Sequence, residues 1–147
     1  MADFVVRPAV EQDFDVIRDM VRTARINPTG LDWRRFLVAV APAGRVLGCG
    51  QIKPHRDGSR ELASIVVIPE FRGQGVARSV INQLLSDGSR PLYLMCRSKL
   101  EPFYKKFGFH AISIREMPAY FRRMARLAGV FSMMAGEGES LLVMKLD

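Results

Sequence analysis

A glycine-rich turn between an apolar strand and an amphipathic helix is the most constraining feature of this chain. Residues 61–68 read ELASIVVI, and Pro69 ends this run of β-branched side chains. The sequence RGQG follows at residues 72–75, and from Val76 onward apolar side chains recur with helical spacing. The first amides of such a helix have no partner within it, and glycines let an anion come close to them. This pattern predicts a site for phosphate or pyrophosphate, although a plain tight turn has the same short signature.

Two common nucleotide-binding motifs do not fit this turn. A P-loop requires Gly-Lys-Ser/Thr, which is absent. A dinucleotide-binding fingerprint requires a third small residue where Arg78 stands, and an acidic residue that closes the next strand. The next predicted strand, residues 91–96, carries no acid. The glycines also lie in mid-chain after several strands, whereas the dinucleotide motif belongs to a first βαβ unit.

Hydrophobic periodicity predicts one central sheet flanked by helices. We predict strands at residues 4–7, 36–41, 46–53, 61–68, 91–96, 109–114 and 141–146. Helices are predicted at residues 11–25, from 76 to the Asp-Gly pair at 87–88, at 99–107 and at 118–135, with a helical turn at 31–35 and a turn at 136–139. The last helix carries a stripe of Tyr120, Met124, Leu127, Phe131 and Met134. The 147 residues suit a single α+β or mixed α/β domain.

The charge of the chain is basic and unevenly distributed. Lysine and arginine number 22 against 15 acidic residues, a net charge of +7. Residues 97–126 contribute eight bases and two acids to this balance. A basic balance favours an anionic partner, such as nucleic acid, a membrane surface or a phosphorylated small molecule, although an exposed basic face also serves solubility. Because no zinc-finger spacing or RNA-binding aromatic motif is present, nucleic acid is supported by charge alone.

Cysteine usage and hydropathy predict a cytoplasmic protein. Cys49 and Cys96 lie in apolar segments, which is typical of a reducing compartment, and two cysteines are too few for a disulfide framework or a zinc cluster. No apolar run approaches the roughly 20 residues that a membrane helix needs. The first residues lack the basic start and apolar core of a signal peptide. We therefore expect no metal and no membrane contact.

Two segments resemble motifs of the GNAT family of N-acetyltransferases. PEFRGQGVARSVINQLL at residues 69–85 is similar to motif A, in which Arg72, Gly75 and Ala77 match Gln/Arg-x-x-Gly-x-Gly/Ala. PFYKKFGF at residues 102–109 is similar to motif B, in which an aromatic residue and Tyr104 lead a short helix that ends in Gly-Phe. The first strand and helix and the last strand also resemble the family. The resemblance covers almost the whole chain, and the segment at 117–135 is its least typical part.

The resemblance implies a fold and a cofactor. The fold is a mostly antiparallel sheet of six or seven strands with a splayed parallel pair, here residues 61–68 and 91–96, that admits the pantetheine arm of acetyl-CoA. The implied cofactor-binding residues are Val66, Val67 and Ile68 along the arm, and Arg72, Gly73, Gln74, Gly75, Val76, Ala77 and Arg78 around the pyrophosphate. Arg97 replaces an asparagine that often contacts the arm, and would instead reach a phosphate or face solvent. Leu100 replaces a frequent alanine.

The reaction implied by the resemblance is direct acetyl transfer from acetyl-CoA to an amine, without a metal. Tyr104 matches the general acid that protonates the leaving CoA thiolate. Glu61 heads the strand where many members place the carboxylate that accepts the amine proton, often through water. Ser64 could orient such a water, whereas Cys96 is interpreted as a buried strand residue. The two histidines, His55 and His110, are interpreted as solvated or structural.

Several alternatives stay open at this point. The acceptor is a small amine, an amino acid, a protein N-terminus or a lysine side chain. A CoA-binding sensor without turnover and a basic nucleic-acid-binding module are the alternative functions. The stripe on the last helix predicts core packing or a subunit contact in a homodimer. The same helix could instead wall the acceptor pocket, where Arg122, Arg123 and Arg126 would favour an acidic acceptor.

Overall fold

The protein has an α+β fold with seven strands and four α-helices in the part of the chain that the structure describes. This computed structural model describes the backbone of residues 2–135 and 140–147, and the side chains in these ranges except those of residues 130–135. The strands are β1 (Val5–Pro8), β2 (Phe36–Val40), β3 (Val46–Pro54), β4 (Arg60–Val67), β5 (Leu92–Arg97), β6 (His110–Ala111) and β7 (Leu141–Leu146). The helices are α1 (Phe14–Thr23), α2 (Val76–Leu85), α3 (Glu101–Lys105) and α4 (Ala119–Ala135). The turn predicted at 136–139 lies outside the described residues.

The strands form one mixed sheet in the order β1-β2-β3-β4-β5-β7-β6. Antiparallel pairing joins β1 to β2, β2 to β3, β5 to β7 and β6 to β7. The pair β4 and β5 is parallel, with Glu61 opposite Tyr93 near the start of both strands. The mixed, mostly antiparallel sheet with one parallel pair confirms the predicted fold class.

The elements fall into two compact units. The first unit comprises Met1–Lys53 and Leu62–Ser89. Its core places the buried face of α1, which includes Ile17 and Val21, among residues of β2 such as Phe36. The apolar spacing that predicted α1 therefore corresponds to its buried face, although the helix begins after a short 3-10 turn at Glu11–Asp13 and not at residue 11.

Two glycines on β3 let α2 pack closely in the first unit. A Cβ atom at Gly50 would lie 2.5 Å from Ile65 Cδ1 and 3.0 Å from Val80 Cγ1. A Cβ atom at Gly48 would lie 2.8 Å from Val76 Cγ1. Because real Cβ atoms do not approach so closely, side chains at these positions would push α2 away from the sheet. These contacts fix where α2 begins, and hence where its first amides lie.

The second unit comprises Pro54–Glu61 and Arg90–Asp147. Its core is built from Tyr93, Met117, Phe121 and Val143. The stripe predicted on α4 is buried only in part: Tyr120 packs against this core, but Leu127 is exposed and the fully buried side chain is Phe121, which lies outside the stripe. Sequence periodicity does not reveal which of two neighbouring aromatic side chains enters the core. The side chains of Phe131 and Met134 lie outside the described residues.

The strand predicted at residues 109–114 is much shorter in the structure. The strand comprises His110–Ala111, which pair with β7. One more backbone hydrogen bond, from the Ile112 N–H to the Val143 carbonyl at 3.0 Å, precedes a 3-10 turn at Ile114–Glu116. The Glu116 carboxylate accepts hydrogen bonds from the backbone N–H and the hydroxyl of Ser113, both at 3.0 Å. This local capping box competes with strand pairing and turns the chain toward α4.

A carboxylate at the start of α1 stabilises the first unit. Asp13 accepts hydrogen bonds from Arg7 Nη1 and from the Val10 N–H, both at 2.8 Å. The Arg7 hydrogen bond holds the pKa of Asp13 below its usual range. This contribution to stability is therefore complete above the usual carboxyl pKa and is lost as the pH falls through the lowered pKa.

We expect Asp13→Asn to lower the free energy of unfolding at pH 7 by about 1–3 kcal/mol, because a buried charge-assisted hydrogen bond is lost. Urea unfolding at pH 7 and at pH 2 measures the difference in free energy of unfolding between the variant and wild type. This difference should disappear at pH 2. The matched control is Asp15→Asn, since Asp15 pairs with Arg18 on the exposed face of α1. An effect of Asp13→Asn no larger than that of the control would contradict the prediction.

Candidate active site

The glycine turn of the first unit leaves the first amides of α2 open. Gly75 has φ +83° and caps the helix in the left-handed conformation, and Gly73 has φ +76°. Apart from the adjacent residues of the chain, no heavy atom of the described residues lies within 4 Å of a Cβ position at either glycine. Val76 is buried and anchors the first turn of the helix. Backbone N–H groups at an uncrowded helix N-terminus attract an anion.

Polar side chains beside these amides supply further donors. Arg72 and Arg78 are exposed on either side of the turn. Gln74 folds back, and its Nε2 donates to the Glu70 carbonyl at 3.3 Å. Positive charge next to free amides suits a phosphorylated ligand better than a neutral one. The residues of the predicted pyrophosphate turn therefore do lie together in the first unit.

The end of β4 offers backbone groups on alternating sides. The Ile68 N–H donates to the Leu47 carbonyl at 2.9 Å, so this amide is occupied. Because backbone groups alternate along a strand, the amide of Val67 points the opposite way from those of Val66 and Ile68. The alternation narrows the predicted contact with a pantetheine arm to Val67.

β4 contains an irregularity at Ser64 that the sequence did not indicate. Ser64 has φ +59°, a left-handed conformation that is rare for a residue with a side chain. Its hydroxyl accepts a hydrogen bond from Gln51 Nε2 at 2.9 Å, and its carbonyl accepts one from the Cys49 thiol at 3.5 Å. The Ser64 side chain is thus tied to β3, and its role in orienting a water stays a prediction.

In the second unit, Tyr104 is a buried phenol on α3. The rings of Phe103 and Phe109 meet it edge-on, with centroids 5.0 and 6.3 Å away. Burial raises the pKa of Tyr104 to about 12, and the nearby Cys96 thiol adds to the shift. The hydroxyl is therefore protonated throughout the neutral range, as a proton donor must be.

Glu61 is a buried carboxylate and not a surface group at a hairpin end. The residue is 6% exposed, and its Oε1 lies 2.8 Å from His55 Nε2. Both side chains are 7% exposed. Of the two interpretations of His55, solvated or structural, the buried contact excludes the first, because the hairpin turn that carries His55 folds the ring inward onto Glu61.

Aromatic rings from α4 enclose His55. The Tyr120 ring stacks on it with centroids 3.6 Å apart and an angle of 18°, and Phe121 meets it edge-on at 5.5 Å. The Tyr120 N–H donates to Asp57 in the same hairpin turn at 3.0 Å. The sequence analysis did not place His55 and Tyr120 beside Glu61. The only signal was a histidine six residues from Glu61 across a predicted hairpin turn.

The remaining candidate side chains of the second unit lie apart from this cluster or are inert. Burial raises the pKa of the Cys96 thiol to about 11, which leaves little thiolate at neutral pH. This agrees with its interpretation as a buried strand residue. Arg97 is exposed at the end of β5. His110 is exposed and pairs with Asp147 at 2.9 Å.

The structure describes residues 2–135 and 140–147. In these ranges, no group of three or more His, Cys, Asp or Glu side chains is arranged to hold a metal ion. Among the described helices, none is long and apolar enough to cross a membrane.

Several solved structures share this fold. Rv2747 from Mycobacterium tuberculosis, in complex with CoA and NLQ, is 23% identical and has a TM-score of 0.70, over 95% of this chain and 97% of that one. An acetyltransferase of the GNAT family from Bacillus cereus is 18% identical with a TM-score of 0.67, over 99% and 98% of the two chains.

A larger enzyme has the same fold in one part of its chain. N-acetylglutamate synthase from Neisseria gonorrhoeae, complexed with coenzyme A and N-acetyl-glutamate, is 18% identical with a TM-score of 0.73 over the whole of this chain. This chain spans 36% of that synthase. At these identities the structures show the fold alone, and no curated protein matches the sequence.

The family is shown by a comparison of sequence with a family model. The model of the acetyltransferase (GNAT) domain matches residues 32–111, which is more than half of the chain. The matched segment contains β4, the glycine turn, α2 and Tyr104, the elements that carry the candidate site. The chain therefore belongs to the GNAT family of N-acetyltransferases, enzymes that transfer an acetyl group from acetyl-CoA.

Proposed function

We propose that the protein transfers the acetyl group of acetyl-CoA directly to the primary amine of a small acceptor, with Glu61 as the base and Tyr104 as the acid. The observation that carries the proposal is the buried Glu61 carboxylate and its hydrogen bond to His55. A CoA-binding sensor has no use for a buried, hydrogen-bonded carboxylate, which is costly to keep in a protein interior. An enzyme that removes a proton from an amine does need such a carboxylate, as its general base.

The proposed reaction is a direct displacement. The neutral amine attacks the thioester carbonyl carbon, and its proton passes to Glu61 directly or through a water. The C–S bond breaks, and the CoA thiolate takes the phenolic proton of Tyr104. Because the pKa of Tyr104 is about 12, the phenol still carries this proton at the pH where the amine becomes neutral. No acyl-enzyme forms, and the Cys96 thiol takes no part.

The cofactor is assigned to the glycine turn and the end of β4. We place the pyrophosphate against the amides that follow Gly75, with Arg72 and Arg78 beside it. The pantetheine arm is assigned to the Val67 end of β4, and Arg97 is assigned to a phosphate or to solvent. The uncrowded positions at Gly73 and Gly75 support this assignment, because a ligand group can approach both.

A free amino acid is the acceptor class that we propose to test first. The structure of N-acetylglutamate synthase contains N-acetyl-glutamate, which is an amino acid acetylated on its amine. The α4 helix of the present chain presents Arg123 and Arg126, which are exposed and could attract a carboxylate. Arg122 is less suited, because its Nη2 donates to the Met117 carbonyl at 2.9 Å. An acidic acceptor would lose affinity when all three arginines are reversed in charge.

Calorimetric titration with acetyl-CoA tests the cofactor site. We expect sub-millimolar binding to the wild type, and a Kd raised by about tenfold or more in Gly75→Glu, because a carboxylate would occupy the anion site. The matched control is Gly44→Glu. Gly44 has φ +95° and equally open space, so the substitution brings the same backbone strain and charge outside the turn. Equal loss in both variants would contradict the assignment of the turn.

Measurements of turnover distinguish the proposed enzyme from the two alternative functions, a CoA-binding sensor and a nucleic-acid-binding module. Free-thiol release from acetyl-CoA is measured with the twenty amino acids, spermidine and a lysine-containing peptide. Release that requires an acceptor supports the proposal. Binding of acetyl-CoA without release for any amine favours the sensor. Salt-dependent DNA binding that Gly75→Glu leaves unchanged would favour the nucleic-acid-binding module.

Four further expectations stay predictions: residues 1–147 act as one domain, the protein is cytoplasmic, it needs no metal, and it forms a homodimer.

A further inference from the structure

We propose that His55 is the positioning residue for Glu61 and that the first turn of α4 holds His55 in place. This inference deepens the proposed function, because it rests on the role of Glu61 as the base. It also assigns a structural role to α4, the segment that least resembles the family. Every residue in the argument belongs to the second compact unit.

The hydrogen bond fixes the tautomer of His55. Glu61 Oε1 and His55 Nε2 are 2.8 Å apart. An ionised carboxylate can only accept hydrogen bonds, so Nε2 must carry the hydrogen whenever Glu61 is charged. The imidazole then stabilises the ionised form of the carboxylate in a place where water reaches little of either side chain. Glu61 is thereby kept ready to accept a proton at neutral pH.

The α4 helix fixes the plane of the imidazole. Tyr120 covers one face of the ring, and the edge-on contact with Phe121 limits its rotation. Phe121 itself is fixed by full burial and by a tilted contact with Tyr93 at 5.3 Å. The hydrogen bond from the Tyr120 N–H to Asp57 joins the start of α4 to the hairpin turn that carries His55. The helix and the turn therefore hold His55 from two sides.

The surrounding charges are mixed. The titratable groups near the pair are Asp57 on the hairpin turn, Tyr93 on β5, and Tyr120 and Arg123 on α4. Burial raises the pKa of Tyr120, the negative charge of Glu61 adds to the shift, and Arg123 opposes it. Tyr120 is thus a neutral ring against the imidazole and within the field of the carboxylate. Its role toward His55 is one of packing and not of proton transfer.

Nuclear magnetic resonance tests the pairing without an acceptor. The chain has two histidines, and long-range ¹H–¹⁵N spectra distinguish their tautomers. In wild type we expect the Nε2-protonated tautomer at His55. Glu61→Gln should change the ¹⁵N shifts and the tautomer balance of His55, because a neutral amide no longer requires a hydrogen on Nε2. His110 is the internal control, since its partner is Asp147 and its ¹⁵N signals should stay unchanged in Glu61→Gln.

The reciprocal measurement follows the side-chain ¹³C signal of Glu61. His55→Leu should raise the pKa of Glu61 by about one unit or more, whereas His55→Gln, which keeps an amide donor, should restore most of the wild-type value. Tyr120→Leu should shift it in the same direction, and Tyr120→Phe, which keeps the ring, should not. If His55→Leu fails to fold, the proposal is tested by the His55 spectra of Glu61→Gln and by the Glu61 titrations of Tyr120→Leu and Tyr120→Phe. Unchanged titrations in the folded variants would overturn the proposal.

Kinetics distinguish this inference from the proposed function. Thiol release in the presence of the amino acids is followed from pH 5 to pH 10. We expect Glu61→Gln to lose turnover, and the acidic limb of kcat/KM to move to higher pH in His55→Leu. Retained turnover in Glu61→Gln would overturn the assigned base and, with it, the positioning role. Lost turnover in Glu61→Gln together with an unmoved acidic limb in His55→Leu would overturn the positioning role alone.

Discussion

Replacing Tyr104 with phenylalanine is expected to lower kcat by about 10²- to 10⁴-fold, which is the usual contribution of a positioned acid. The substitution removes one hydroxyl and keeps the ring that packs between Phe103 and Phe109. The Kd for acetyl-CoA should therefore stay within about threefold of wild type, since binding does not require the proton. Steady-state thiol release and calorimetric titration measure the two quantities on the same preparations.

The control for Tyr104→Phe is Phe107→Leu. Phe107 follows Tyr104 by three residues and contacts the ring of Phe103. Phe107→Leu therefore changes the packing around α3 without removing the Tyr104 hydroxyl. A fall in kcat of equal size in both variants would attribute the effect to packing. The pH profile gives a second check. Because the pKa of Tyr104 is about 12, wild-type kcat should show no loss from ionisation of this phenol up to pH 10.

Phe121→Ala is expected to destabilise the protein by about 3–5 kcal/mol, because the substitution leaves a large cavity in the core of the second unit. Phe121 is fully buried beside Tyr93, Met117 and Val143. It also meets the edge of His55, so the variant should lose turnover before it unfolds. Urea unfolding measures the first effect, and thiol release at low denaturant measures the second.

The control for Phe121→Ala lies on the same helix. Leu127 is 51% exposed, so Leu127→Ala should change the free energy of unfolding by no more than about 0.5 kcal/mol. If the two variants were equally destabilised, the stripe predicted from the sequence would be the buried face after all. A stable Phe121→Ala with wild-type turnover would show that α4 does not support the site.

Local chemistry allowed most of the elements to be predicted from the sequence. The order of strands and helices was correct, because apolar periodicity, Pro69 and the glycine turns act over a few residues. The glycine turn was predicted for the same reason, since Gly75 supplies a backbone conformation that few other residues adopt. The strand at 109–114 was wrong, because Ser113 and Glu116 form a local capping box that outweighs β-propensity.

The sequence by itself determined the family motifs, the glycine turn that begins α2, and the two side chains to which acid and base are assigned, Tyr104 and Glu61. Only the tertiary structure decided that Glu61 is buried, that His55 is its partner, and that Phe121 and not Leu127 faces the core. The physical reason is distance along the chain. A motif consists of residues that are close together in the chain. The environment of Glu61, in contrast, is formed by a hairpin turn and by a helix that begins 58 residues after Glu61. Such an environment depends on packing, which periodicity alone does not specify.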